Sequence, residues 1–196
     1  MDNQILFNIA FAISLIIAIT IHEFSHAFVA DHFGDPTPRS YGRVSLNPLR
    51  HLDPLGTIML IFFKFGWGKP VPIDPYNLST KEETLVAIAG PASNLILAII
   101  LAIIMHFFPF VLIYILIQTN IVLAVFNLLP LPPLDGSKIF LNLLPEEQSL
   151  EWQKAFDQYG FVFLAVLLFL PIGGSNIVSI IISPVINFLM ALLLAR

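Results

Sequence analysis

Residues 5–30 read ILFNIAFAISLIIAITIHEFSHAFVA, and this stretch determines how the rest of the chain is interpreted. It is apolar, with a few scattered polar residues, until it reaches His22, Glu23 and His26. A membrane-spanning helix needs about 20 apolar residues, so the stretch predicts a spanning helix with three ionisable side chains in its last third. Ionisable groups inside a membrane segment are costly, and these three are therefore functional candidates.

The motif from His22 to His26 has the form H-E-x-x-H. Side chains four positions apart lie on one face of a helix, so His22 and His26 can present two imidazoles to one metal ion. Glu23 follows the first histidine, where its carboxylate can act as a general base on a metal-bound water. The alternative is a chance pattern at a helix end that leaves the membrane. The cost of placing three polar groups beside an apolar run favours the metal site.

The composition indicates a membrane protein. Of the 196 residues, 57% are hydrophobic and 11% are charged, whereas about a quarter are charged in a soluble domain. The length predicts one domain over residues 1–196, with a catalytic core at about 5–145 and a C-terminal helical pair at about 156–195. A net charge of −4 without a basic block excludes nucleic acid as an expected partner. Without cysteine, the possible metal ligands are His, Asp and Glu.

The hydropathy pattern predicts an all-α polytopic membrane protein with about five spanning helices, or six in an alternative layout. Four further spanning candidates follow the first: residues 85–108, 110–129, 161–172 with their upstream flank, and 177–195. Residues 52–67 are apolar but short and interrupted, which is typical of a re-entrant segment. Before and after it, residues 41–46 predict a short strand and residues 69–75 an extended edge segment.

The basic residues favour the re-entrant layout. If residues 52–67 return to the side from which they entered, all nine Lys and Arg lie on one side of the membrane. The positive-inside rule makes that side cytoplasmic, so the site would face the cytoplasm. If residues 52–67 span instead, the basic residues divide between the two faces and the preference is lost.

A catalytic zinc needs three protein ligands and one open position. Asp135 is the best third ligand, because it follows a predicted spanning helix that ends on the same side as His26. His32 and Asp35 are too near the end of the first helix to fold back, and His106 lies on the other side. Three prolines break the helix before the aspartate and predict an extended approach: Pro130, Pro132 and Pro133. The alternative is that Asp135 caps a following helix.

In chain order, the H-E-x-x-H motif, residues 90–94 (GPASN) and residues 127–136 (NLLPLPPLDG) resemble the core motifs of the site-2 protease family of intramembrane zinc metalloproteases. Four shorter stretches resemble its short prokaryotic branch: residues 34–36, 42–48, 51–56 and 66–72. The resemblance covers about residues 15–145. It implies a multi-pass protein of the prokaryotic cytoplasmic membrane, without the PDZ and CBS modules of larger members. Its expected substrate is a membrane protein with a transmembrane segment.

The resemblance also implies the site residues. One Zn²⁺ would be held by His22, His26 and Asp135, with Glu23 as the catalytic residue. Two asparagines match the later motifs, Asn94 and Asn127. Each would either make interhelical hydrogen bonds or act near the scissile carbonyl as an oxyanion donor or positioning group.

Two further motif positions, His51 and Asp53, have no secure role and can equally shape the re-entrant loop. The implied activity is hydrolysis of peptide bonds in or near transmembrane segments. A membrane metal transporter that uses the same His/Glu/Asp cluster is the competing hypothesis. Against it, no row of metal-binding side chains leads to the far side, where His106 stands alone.

Overall fold

The computed structural model describes residues 3–63 and 66–195. Within them the chain forms helices α1 to α8, two short 3₁₀ helices and one small hairpin of strands β1 and β2. The helices are α1 (Asn3–His32), α2 (Thr37–Ser40), α3 (Pro54–Phe63), α4 (Thr80–Phe107), α5 (Val111–Asn127), α6 (Asp135–Leu143), α7 (Glu146–Phe169) and α8 (Ile177–Leu194). The 3₁₀ helices are Pro48–Arg50 and Pro75–Asn77, and the strands are Pro171–Ile172 and Ser175–Asn176.

Three of the described helices are long and apolar enough to cross a membrane: α1 over Gln4–His32, α4 and α8. Helix α5 has 17 residues and is about 26 Å long, slightly less than the roughly 30 Å of a bilayer core. Helix α7 begins with exposed acidic residues and becomes apolar only in its second half. The predicted helical membrane protein is therefore found. Three of the described helices meet the length and hydropathy of a membrane span, and the predicted count of about five is not confirmed.

Helices α1 and α4 pack against each other in opposite directions. Asn94 of α4 bonds to the carbonyl of Ala18 on α1, and the Val86 carbonyl lies beside His26. Small buried residues, including Ala18 and Ala27 of α1 and Gly90 of α4, line these helices. Small side chains let helix backbones approach closely in a membrane, which brings the imidazoles of α1 against α4.

The described parts of the apolar segment 52–67, residues 52–63 and 66–67, are folded back on each other and include α3, and they are called the α3 hairpin. The ten residues of α3 reach about 15 Å, half the thickness of a bilayer core. Leu52 and Gly68 form an antiparallel bridge, and the Lys69 N–H donates to the His51 carbonyl at 2.7 Å. The segment therefore ends where it began, which a spanning helix does not allow. Lys64 lies outside the described residues.

The strand predicted at residues 41–46 is wrong, because these residues form turns and bends. Gly42 has a φ of +66°, which interrupts an extended backbone, and the Arg43 N–H closes a turn onto the Pro38 carbonyl. The two short strands that the structure contains lie instead between α7 and α8, where Gly173 and Gly174 form the predicted turn.

Candidate metal centre

Three side chains distant in sequence converge on one point. Asp135 Oδ2 lies 3.0 Å from His22 Nε2 and 3.2 Å from His26 Nε2, and the two Nε2 atoms are 3.1 Å apart. Among the described residues, these three form a group of His and Asp side chains able to hold a metal ion. Both imidazoles are buried, while the carboxylate remains slightly accessible.

The outer nitrogen of each imidazole faces an oxygen atom. His26 Nδ1 lies 2.7 Å from the Val86 carbonyl, and His22 Nδ1 lies 2.7 Å from Asn94 Oδ1. Since these oxygens accept, both rings carry a proton on Nδ1 and present the lone pair of Nε2 to the centre. Such outer hydrogen bonds fix the tautomer and the ring orientation of a metal-binding histidine.

A zinc ion fits this donor set. Two Nε2 lone pairs and a carboxylate oxygen at 3.0–3.2 Å from one another repel unless a cation lies between them. Bonds of about 2.0–2.1 Å to a tetrahedral zinc would separate neighbouring ligand atoms by roughly 3.3 Å, close to the spacing found. Two imidazoles with one carboxylate, and room for a fourth ligand, are typical of a catalytic zinc site.

Asp135 does not cap α6, the alternative considered from the sequence. It is the first residue of the helix, the cap position is Leu134, and no side chain caps the N-terminus. Burial opposes ionisation of its carboxyl, but His26 and His22 hold the pKa of Asp135 well below its usual range. The preceding segment is also not extended as predicted, because residues 128–134 form consecutive turns.

Gly90 allows α4 to lie directly against the centre. A methyl group at this position would lie 2.3 Å from His26 Nε2 and 2.7 Å from His22 Nε2. Any side chain larger than hydrogen would therefore displace the rings or the helix. The first glycine of the GPASN motif thus has a steric role at the imidazoles.

Glu23 lies between the histidines and the end of the α3 hairpin. Its Oε2 is 3.9 Å from Nη2 of Arg43, a buried guanidinium that also donates to the Lys69 carbonyl. A methyl group at Gly68 would lie 3.0 Å from Glu23 Oε1. The hairpin end thus packs directly on the carboxylate, which is 14% exposed.

His51 and Asp53 shape the hairpin. His51 is fully buried and its Nε2 donates to the Ser45 carbonyl at 2.6 Å, while Asp53 accepts from the Gly56 N–H at 2.8 Å at the start of α3. Burial lowers the pKa of His51, the Ser45 carbonyl opposes this, and the nearby Arg43 lowers it further.

The two candidate asparagines have different surroundings. Asn94 is fully buried, with its amide N–H groups on the Ala18 carbonyl and Asn120 Oδ1, so its geometry favours the interhelical role. Asn127 is partly buried and donates to the Leu123 carbonyl of its own helix.

Spacing and hydropathy do not single out Arg43, Asn120 or the Val86 carbonyl. An amide inside an apolar helix is the signal that could have identified Asn120. A backbone carbonyl has no sequence signal. For Arg43 the sequence predicts a side of the membrane and a place in the motif at residues 42–48, but not a contact with Glu23.

Comparison with known proteins gives consistent matches. The model of a family described as Peptidase family M50 matches residues 10–111 and 107–170. The chain is 42% identical over 178 residues to "Putative zinc metalloprotease YwhC" of Bacillus subtilis, covering 83% of this chain and 81% of that protein. It is 34% identical over 170 residues to "Putative zinc metalloprotease Rip2" of Mycobacterium tuberculosis, covering 80% of this chain and 65% of the relative.

A more distant relative is "Zinc metalloprotease MJ0392" of Methanocaldococcus jannaschii. It is 26% identical over 194 residues, which cover 96% of this chain and 50% of that protein. This chain therefore spans about half the length of the archaeal protein. No solved structure matches the chain.

Proposed function

This chain belongs to peptidase family M50 and is a zinc metalloprotease, and we propose that it hydrolyses peptide bonds in or near the transmembrane segments of membrane proteins. The convergence of His22, His26 and Asp135 carries the proposal. His26 and His22 precede the end of α1 by six and ten residues, so they lie about 9 and 15 Å inside it. Since α1 is long enough to span a membrane, a site at that depth suits a membrane-embedded substrate.

In the proposed mechanism, His22, His26 and Asp135 would hold the zinc. A zinc ion bound there supplies Lewis acidity that activates water and polarises a peptide carbonyl. Glu23 takes the proton from the attacking water and returns it to the leaving amine. Asn127 is the better of the two oxyanion candidates, since both N–H groups of the Asn94 amide are already bonded.

A helical substrate must unwind before cleavage, because its peptide bonds are enclosed in the helix hydrogen-bond ladder. Residues 70–73, next to the α3 hairpin, can hold the unwound segment as an added strand. Pro70 and Pro72 lack N–H groups, whereas Val71 and Ile73 present theirs towards the same edge of an extended chain. Among the described residues, neither of these two N–H groups has a partner. Because Pro70 and Pro72 cannot donate hydrogen bonds, a substrate strand can pair only with the edge that carries the N–H groups of Val71 and Ile73.

The gathering of basic residues at one end of the helices favours an orientation with the site towards the cytoplasm. The proposal also takes the chain as a single domain in the prokaryotic cytoplasmic membrane, as the family resemblance implies. A metal transporter would need further ligand groups along the path across the membrane. Within the described part of the chain, the metal-binding group is the single cluster at His22, His26 and Asp135. Proteolysis therefore accounts for the cluster better than transport does.

The test is Glu23→Gln in the full chain, purified in detergent and assayed for zinc content and for cleavage of a transmembrane peptide. We expect zinc content to be retained and cleavage to fall at least about a hundredfold, the lower range for loss of a general base. Glu151→Gln, an exposed position on α7, is the matched control and should cleave normally. Cleavage by Glu23→Gln would end the proposal, and zinc flux into proteoliposomes without cleavage would favour the transporter.

The substrate itself can be found by comparing membrane-protein fragments in cells that carry either the wild type or Glu23→Gln. Fragments with new termini inside transmembrane segments should appear only with the wild type. Wild-type-specific termini confined to soluble domains would contradict the proposed substrate class.

A further inference from the structure

A buried chain of amides leads from α5 to the metal centre. Asn120 is fully buried, and its Nδ2 donates to the Leu116 carbonyl of its own helix at 2.8 Å. Its Oδ1 accepts from Asn94 Nδ2 at 2.8 Å, and Asn94 Oδ1 in turn accepts from His22 Nδ1 at 2.7 Å. Every bond in this chain joins one donor to one acceptor, so the direction of the whole chain is defined.

The Leu116 carbonyl fixes the orientation of the Asn120 amide, which in turn fixes that of the Asn94 amide. This carbonyl requires the nitrogen of Asn120 to point towards it, which leaves Asn120 Oδ1 facing Asn94. Asn94 then directs its nitrogen to Asn120 Oδ1 and to the Ala18 carbonyl. Rotating the Asn94 amide by 180° would place its oxygen against two acceptors, which the buried environment makes costly.

The orientation of Asn94 decides the chemistry of His22. With the oxygen of Asn94 towards the ring, the imidazole proton sits on Nδ1 and Nε2 is free to bind a metal. With the nitrogen towards the ring, Nδ1 would have to accept and the proton would move to Nε2. Nε2 is the atom that lies 3.0 Å from Asp135, so the second arrangement would block coordination.

We propose that Asn120 is a positioning residue for the metal centre, which acts through Asn94 to hold His22 in the tautomer with a free Nε2. This proposal about Asn120 rests on one part of the proposed function, namely that the centre binds zinc. A role limited to joining helices would make Asn120 matter for folding alone, so the test must measure the metal and the imidazole directly.

The variant Asn120→Leu removes the acceptor that faces Asn94 while keeping a side chain of similar size. In the full-length zinc-loaded chain, chelator competition should show zinc affinity about tenfold weaker, the lower end of the 10–100-fold range for outer-shell partners. Nitrogen-15 NMR of labelled histidines should show a weakened or exchanging Nδ1–H signal for His22.

Thr119→Val is the matched control. Thr119 is the neighbouring residue on α5 and is also polar and buried. Its hydroxyl, however, donates to the Ile115 carbonyl of its own helix and not towards the metal centre. We expect this variant to bind zinc as the wild type does, even if it unfolds more easily.

Asn120→Asp provides a second variant. A buried neutral carboxyl can donate its O–H to the Leu116 carbonyl and accept from Asn94, so zinc affinity should return to within about threefold of the wild type. The proposal is overturned if Asn120→Leu binds zinc as tightly as Thr119→Val with an unchanged His22 signal. A wild type that binds no zinc overturns both proposals, whereas zinc binding without peptide cleavage overturns only the proposed function.

Discussion

Gly90 and the two imidazoles show how closely the metal centre is packed at the scale of single residues. A methyl group at this position would lie well within van der Waals contact of His26 Nε2 and His22 Nε2. We expect Gly90→Ala to weaken zinc binding by more than about tenfold, because the rings that carry the ligand atoms must move. Zinc retained after dialysis against a metal buffer measures this.

Ser93→Ala is the control for the Gly90 variant. Ser93 lies one turn further along α4, and its hydroxyl bonds only to the Gly90 carbonyl. Its removal should leave zinc content unchanged. Full zinc occupancy in Gly90→Ala would mean that α4 does not approach the imidazoles as closely as the structure indicates.

His51 provides a prediction about pH. Burial holds its pKa below the value of about 6.5 expected for a free histidine. The unfolded chain therefore binds a proton on the His51 imidazole more readily than the folded chain. The contribution of neutral His51 to the free energy of unfolding is complete above about pH 6.5 and is lost as the pH falls through the lower pKa of the folded chain. His51→Gln should reduce the difference in thermal unfolding temperature between pH 7.5 and pH 5.5.

The comparison variant is His106→Gln, at the opposite end of α4 from the site. It removes one imidazole and leaves the α3 hairpin intact, so the wild-type dependence on pH should persist. An equally steep dependence in His51→Gln would show that other groups cause the loss of stability in acid.

At the scale of elements, hydropathy predicts the apolar helices but places their ends poorly. The second spanning candidate was predicted to start at residue 85, whereas α4 begins at Thr80. Ser79 and Glu82 form a capping box there, with the Ser79 N–H donating to the Glu82 carboxylate at 2.8 Å. This signal is readable in the sequence, but it stabilises a polar first turn that an apolar window excludes.

The part of the metal centre that lies within one helix could be predicted from the sequence, because it depends on local spacing. The helical period brings His22 and His26 together from the sequence alone. Asp135 lies 113 positions from His22. Its prediction as the third metal ligand depended on a motif resemblance and on the expectation that the preceding helix ends on the same side of the membrane as His26. The tertiary partners of Asn120 and Arg43 follow from how α1, α4 and the α3 hairpin pack, which no local pattern records.

The segment after the hairpin gives the element-scale prediction. Val71→Pro removes one of the two N–H groups proposed to bind substrate, while the neighbouring prolines already favour an extended chain. We expect kcat/KM for a transmembrane peptide to fall roughly tenfold, the value of one hydrogen bond, with zinc content unchanged. Val71→Ala keeps the N–H group and should retain most activity. Equal turnover by the two variants would argue against strand addition here.

At the scale of the whole molecule, the described ligands and charges gather at one end of the helices. The C-terminal end of α1, the first turns of α4 and the start of α6 meet there through His26, Val86 and Asp135. Seven of the nine basic residues lie in described segments at or after this end: Arg39, Arg43, Arg50, Lys69, Lys81, Lys138 and Lys154. Lys64 and Arg196 lie outside the described residues. The described basic residues and the metal centre therefore belong to the same end of the helices, and we propose that this end is one face of the membrane.

The orientation of that face can be measured, because the chain contains no cysteine and a single introduced thiol gives no background. Ser40→Cys marks the end that carries the site, and Phe110→Cys marks the exposed turn between α4 and α5. If the basic face is cytoplasmic, a membrane-impermeant maleimide added to intact bacteria should label only Phe110→Cys, and both variants should react after the membrane is made permeable. Labelling of Ser40→Cys in intact cells would place the basic face and the metal centre outside. It would thereby remove the cytoplasmic orientation from the proposed function without affecting the metal site itself.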